Sequence, residues 1–204
     1  MKKKNIKIVN SEKFFETLKK NISNLFLKDN KRKNKIRKNI LHNVANLLLT
    51  DDERATALGL PAGCRIREGA KIFDLEKLII GEYCWIGENA ILDASGGLQI
   101  GSHCSIGPSV FIWSHTSHLT NLSMQNEINS KKIIRKKTTI GNGCFIAGPS
   151  VILPGVKVGN KVLIRPFSTV SKDIPDNSLV DGDKVKKNIF TKDFIDFQLK
   201  KINV

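Results

Sequence analysis

Aromatic residues are scarce in this 204-residue chain, at 6% of the total with one Tyr and two Trp. Any core it forms must therefore be aliphatic, and 40% hydrophobic residues suffice for one. No run of about 18 apolar residues occurs, which excludes a membrane-spanning helix. The opening Met1-Lys2-Lys3-Lys4 has the basic end of a secretory signal, but no apolar stretch of about seven follows it. A cytoplasmic chain is expected. The four cysteines (64, 84, 104 and 144) include no CxxC pair, although four would suit a disulfide pair or a zinc site by number. Acidic residues are few: 19 against 34 Lys and Arg, for a net charge of +15. Residues 1–55 hold 15 Lys and Arg against 6 Asp and Glu, a net +9. Such a segment attracts nucleic acid, an acidic membrane face or an acidic substrate, and a solvated helix surface is the plainer reading.

What the chain does contain divides it into three regions. Residues 1–59 read as a basic helical region. Phe14, Phe15, Leu18, Ile22, Leu25 and Phe26 recur at helical spacing, and Ile36, Ile40, Leu41, Val44, Leu47 and Leu48 do so again after a polar loop at 28–34. Thr50-Asp51-Asp52-Glu53 has capping-box form, and Gly59 is placed to stop the short helix that follows.

Residues 60–175 repeat every six positions. The anchors are Leu60, Ile66, Ile72; Ile80, Ile86, Leu92; Ile100, Ile106, Ile112; Ile140, Ile146, Ile152; Val158, Ile164 and Val170. Four residues after most anchors the side chain is small, with Glu76 and Ile174 as exceptions. Alternate strand residues share a face, so the small residue and the next anchor both point inward. A corner every six residues then closes a prism. All four cysteines occupy the small inward slot, which makes them packing residues. Between groups of three anchors the steps are eight, eight, twenty-eight and six. Five turns follow, with every insertion at one corner. The largest is an excursion over residues 118–139, and a loop that long in a compact solenoid is usually functional. Residues 176–204 leave the coil as a tail carrying Lys184, Lys186 and Lys187, then a short helix capped by Thr191.

The pattern resembles the hexapeptide-repeat acyltransferases, which are left-handed parallel β-helices. Ile140-Gly141-Asn142-Gly143-Cys144-Phe145-Ile146-Ala147-Gly148, Val151-Ile152-Leu153-Pro154-Gly155-Val156 and Ser171-Lys172-Asp173-Ile174-Pro175 are similar to the C-terminal half of maltose and galactoside O-acetyltransferases. Asp93-Ala94-Ser95-Gly96-Gly97 and Trp113-Ser114-His115-Thr116-Ser117-His118 resemble the capsule- and lipopolysaccharide-modifying O-acetyltransferases. The resemblance covers residues 60–187. It implies a mainly β fold of about five left-handed coils, a homotrimer with sites between neighbouring coils, and transfer of acetyl from acetyl-CoA to a sugar hydroxyl without an acyl-enzyme or a metal.

A hydroxyl is a poor nucleophile at neutral pH and needs a base within hydrogen-bond reach, usually histidine. His118 is the first choice. It stands six after Ile112, where other anchors are aliphatic, and His118-Leu119-Thr120 resembles the family's loop opening. It lies ten residues after Pro108, where relatives place the histidine at nine. His115 is the second choice. Asp93 and Ser95 fall one coil below Trp113 and His115, about 4.8 Å away by strand spacing, and Asp93, Ser95 and Trp113 are candidates for holding the acceptor, although Asp at a corner also satisfies turn backbone. By the same resemblance Phe145, Ala147 and Gly148 would meet the pantetheine arm, and Pro166, Ser171, Lys184 and Lys187 the adenine and phosphate end, where Arg165 stands in place of the family's usual Gly or Ala and would add a cation. Three alternatives stand beside this: an amino-sugar N-acetyltransferase, a zinc carbonic anhydrase on the same coil using His103, His115 and His118, and a polyanion-binding protein. Nucleic acid is not an expected partner, because the N-terminal aromatics fall on the apolar stripe. An acidic polysaccharide and a peripheral contact with an anionic membrane face are compatible with the charge.

Overall fold

The computed structural model describes residues 49–124 and 133–201. The helices expected over 14–26 and 36–48, with the charge they carry, lie outside the described residues, as do residues 125–132 of the excursion. Among the described residues no helix is long and apolar enough to cross a membrane.

Helix α1 (Asp51–Ala57) opens with the expected box: the Thr50 backbone N–H donates to Glu53 Oε2 at 2.8 Å. Gly59, at φ +69°, turns the chain into the coil. Arg54 is buried and donates to the Ile66 carbonyl at 2.6 Å, which ties the helix to the first strand.

The coil then runs in strands of two or three residues. The first turn holds β1 (Arg65–Ile66), β2 (Lys71–Phe73) and β3 (Leu78–Ile80), and the second β4 (Trp85–Ile86), β5 (Ile91–Asp93) and β6 (Leu98–Ile100). The third begins with β7 (Ser105–Ile106) and β8 (Phe111–Ile112). The chain then departs through β9 (His115–Thr116) and α2 (His118–Leu122), returns by β10 (Ile134–Arg135), and resumes the coil at β11 (Thr138–Ile140). The fourth turn is β12 (Phe145–Ile146), β13 (Val151–Ile152) and β14 (Lys157–Val158). The fifth is β15 (Leu163–Ile164), β16 (Thr169–Val170) and a single bridge from Ile174 to Val158. β17 (Leu179–Asp181) and β18 (Lys184–Lys186) precede helix α3 (Lys192–Lys201).

These strands stack into three parallel walls. The first is β1-β4-β7-β12-β15-β17, the second β2-β5-β8-β13-β16, and the third β3-β6-β11-β14. Anchors align in register along each wall, as Ile66, Ile86 and Ile106 do on the first. Their side chains make the core: Ile86, Leu92, Ile106, Ile112, Ile146, Ile152 and Ile164 are fully buried. Burying each contributes roughly 1.5–3 kcal/mol. The cysteines are free and buried, and the Cys84, Cys104 and Cys144 thiols donate to the Gly101, Gly141 and Gly159 carbonyls of the next turn at 3.0–3.1 Å.

Two boundaries differ from those expected. The first wall continues through β17, so the coil reaches Asp181 rather than ending at 175. Val180 follows Ile164 after 16 residues where Ile164 follows Ile146 after 18, and the shortened turn hides it from a six-residue count. The excursion begins before His118 and ends before Thr139. β9 and β10 pair antiparallel as its stem, with Thr116 opposite Ile134 and His115 opposite Arg135.

Candidate active site

The foot of the excursion gathers the polar chemistry. Asp93 ends β5 and is fully buried. Its Oδ1 accepts the Ser95 backbone N–H at 3.0 Å. Its Oδ2 receives the Ser114 N–H at 2.8 Å, the Ser114 hydroxyl at 3.2 Å and the His115 N–H at 3.0 Å, and lies 2.7 Å from His115 Nδ1. Burial by itself pushes the carboxyl's pKa up. The donors from Ser114, Ser95 and His115 outweigh burial and hold it at about 2. Asp93 is therefore an anion at neutral pH.

Local sequence explains how these groups meet. The turn Ser95-Gly96-Gly97 lies directly under Ser114. A Cβ on Gly96 would stand 2.1 Å from the Ser114 carbonyl oxygen, and Gly97 has φ +94°. The Gly96 N–H donates to the Ser114 hydroxyl at 2.7 Å. The other foot is pinned by Thr138, fully buried, whose hydroxyl donates to the Trp113 carbonyl at 2.6 Å and accepts the Gly155 N–H at 3.0 Å. The Lys136 N–H reaches the Ser114 carbonyl at 2.8 Å.

His115 faces this cluster. Its side chain is 32% exposed, and Nδ1 lies 2.8 Å from the Ser95 hydroxyl as well as on Asp93. A carboxylate anion has no proton to give, so the Nδ1 contact requires the hydrogen to be on Nδ1, which leaves Nε2 with a free lone pair in the neutral ring. The Trp113 ring meets the His115 ring edge-on at 6.3 Å. The structure thus brings together Asp93, Ser95, Trp113 and His115. His115 points onto a carboxylate. His118 is the first residue of α2, exposed, with Nδ1 3.0 Å from the Thr116 hydroxyl. The buried carboxylate serves His115. His103 is elsewhere, stacked on Tyr83 at 5.1 Å, and among the described residues no group of three metal-binding side chains forms.

Most of the residues proposed for an acyl donor lie on and beside the first wall, while Ser171 follows β16 of the second. Phe145 projects from β12, 51% exposed. Ala147 and Gly148 follow at the corner, where the Ala147 N–H bonds the Ile164 carbonyl at 2.8 Å and a Cβ on Gly148 would strike the Pro108 carbonyl at 1.6 Å. Arg165, Pro166, Ser171, Lys184 and Lys187 are exposed. Arg165 pairs with Asp181 at 3.0 Å, and Lys184 stands opposite Asp181 in the β17–β18 ladder, so these two cations share one acidic neighbour. Sequence reasoning missed Ser114 and Thr138. Thr138 had a signal, because Leu78 and Leu98 occupy its place on the third wall.

Residues 137–172 match the bacterial transferase hexapeptide (six repeats) family. The coil is a hexapeptide-repeat β-helix. That repeat is the one left-handed parallel β-helices use. The chain is 30% identical over 117 residues to the candidate colanic acid biosynthesis acetyltransferase WcaF of Escherichia coli strain K12, covering 57% of this chain and 60% of WcaF. It is 33% identical over 100 residues to the galactoside O-acetyltransferase of Lactococcus lactis, covering 47% of this chain and 45% of that protein. The chain thus spans only about half of the curated relatives it matches. Among solved structures, a hexapeptide-repeat acetyltransferase of Vibrio cholerae complexed with acetyl coenzyme A shares the fold with a TM-score of 0.53 at 23% identity, over 71% of this chain and 80% of that one.

Proposed function

We propose that the chain is an acetyltransferase that moves the acetyl group of acetyl-CoA to a hydroxyl of a bacterial surface sugar or polysaccharide, with His115 as general base. The observation that carries this is the imidazole held by Nδ1 on a buried carboxylate at 2.7 Å, with Nε2 left free, at the foot of the one long excursion of a hexapeptide-repeat coil. Such an arrangement fixes the tautomer and stabilises the imidazolium that forms when the base takes a proton. This exchanges the two histidines relative to the preference drawn from sequence. His118 becomes a neighbour at the mouth of the excursion.

The chemistry is a direct displacement. As the acceptor oxygen bonds to the thioester carbonyl carbon, its proton passes to His115 Nε2. The tetrahedral intermediate then collapses, the C–S bond breaks, and the departing CoA sulfur takes the proton from Nε2. Negative charge on the carbonyl oxygen needs a donor, and a backbone N–H is the usual one. Trp113, beside the imidazole, offers an apolar face to a sugar ring. Phe145 would pack on the pantetheine arm, with Ala147 and Gly148 meeting its amides. Pro166, Ser171, Arg165, Lys184 and Lys187 would meet the adenine and phosphates. The assembly is a homotrimer, with each site completed by a neighbouring coil.

The test is release of CoA thiol from acetyl-CoA across a panel of cell-surface glycans and amino sugars. Turnover with hydroxyl acceptors supports the proposal. Turnover with amino sugars alone replaces it by N-acetylation. Failure to bind acetyl-CoA in calorimetry, with no thiol release, contradicts it.

A further inference from the structure

Asp93 Oδ2 is asked to accept more than it can. Four donors converge on it: Ser114 N–H, the Ser114 hydroxyl, His115 N–H and His115 Nδ1–H. A carboxylate oxygen offers about two lone-pair directions, so four full hydrogen bonds to one atom are not available. The His115 ring therefore needs a second acceptor, and one is in place. The Ser95 hydroxyl lies 2.8 Å from the same Nδ1. Ser95 is itself anchored, because its backbone N–H donates to the other Asp93 oxygen and the following Gly96 N–H donates to Ser114. The hydroxyl can meet Nδ1 in two ways. It could donate to a bare Nδ1, but that would set the ring's lone pair against the Asp93 anion at 2.7 Å. Only acceptance by Ser95 satisfies both contacts.

We infer that Ser95 is a positioning residue, sharing the His115 Nδ1–H with Asp93 in a three-centre bond that fixes the ring's plane and keeps Nε2 as the free nitrogen. The inference rests on His115 being the base only for its consequence in turnover. The hydrogen-bond arrangement can be read without it. With the Nδ1–H accepted, the Ser95 hydroxyl keeps its own proton for the Asp93 carboxylate, to which its side chain also hydrogen-bonds.

The experiment is nitrogen-15 NMR of histidine-labelled full-length protein, with His115 assigned by the signal lost in His115→Asn. In the wild type the neutral ring should show Nδ1–H and a bare Nε2, with the Nδ1 proton shifted downfield. Ser95→Ala should keep that tautomer, because Asp93 remains, while the Nδ1 proton resonance moves. Ser95→Thr should restore it. An Nε2–H tautomer in the wild type would overturn the inference without any variant. A Ser95→Ala spectrum with the Nδ1 proton unmoved would overturn it too. These readings do not depend on activity, so failure of the acetyl-transfer proposal would leave them standing and would be seen separately in the thiol assay.

Discussion

Asp93 is the side chain on which the hydrogen bonds of Ser95, Ser114 and His115 converge. Its carboxyl sits below its ordinary value of 3.8, at about 2. A depressed folded-state value contributes stability that is present above the unfolded pKa and lost as pH falls through the folded one. Urea unfolding should therefore weaken by about 2 kcal/mol between pH 5 and pH 2 through this group, and Asp93→Asn should remove that part of the slope while costing about 2–3 kcal/mol at pH 7. A variant as stable as wild type at pH 7 would show that the cluster is not holding the fold. The sequence pointed to Asp93, Ser95, Trp113 and His115 through two short stretches that resemble capsule- and lipopolysaccharide-modifying O-acetyltransferases. The register of the repeat sets Asp93 and Ser95 one coil below Trp113 and His115, but it does not give the hydrogen bond from His115 to Asp93. The contact between Asp93 and His115 depends on the chain turning off the coil after Ile112, and six-residue counting stops where the repeat does. His118 opens α2 and belongs to no wall, so the six-residue register does not describe its surroundings.

At the scale of elements, the excursion is held by its two feet. β9 and β10 pair as a stem. Thr138, where neighbouring turns carry Leu78 and Leu98, connects Trp113 to Gly155. Thr138→Val keeps the shape and removes both hydrogen bonds, taking the Thr138 partner from a partly buried carbonyl and a partly buried N–H, at a cost of about 1 kcal/mol each. Its melting temperature should fall, and protease cleavage within the excursion should speed up more than cleavage elsewhere. An unchanged cleavage pattern would mean the foot is not what orders the excursion. The walls themselves were legible, since a strict aliphatic anchor every six residues permits few other folds. β17 was not, because the last turn is shorter. Thr138 could have been noticed as a polar residue in an apolar column, but only once the third wall's register was known.

For the whole molecule, the trimer expectation predicts a single species of three chains by sedimentation at micromolar concentration, and a stable monomer would remove the shared site. The net +9 of residues 1–55 makes a further expectation about the acceptor. Exposed charges are screened over about 8–10 Å at 0.1–0.15 M salt, so the KM for an acidic polymer should rise steeply with salt, and a flat response would favour a neutral acceptor. The central claim is acetyl transfer with the base on His115, and it is tested most directly by thiol release from acetyl-CoA with His115→Ala and His118→Ala compared against wild type, each variant first shown to assemble and to bind acetyl-CoA. The account predicts that kcat falls about 10²–10⁴-fold in His115→Ala and far less in His118→Ala. Near-full turnover in His115→Ala with the loss in His118→Ala would contradict it.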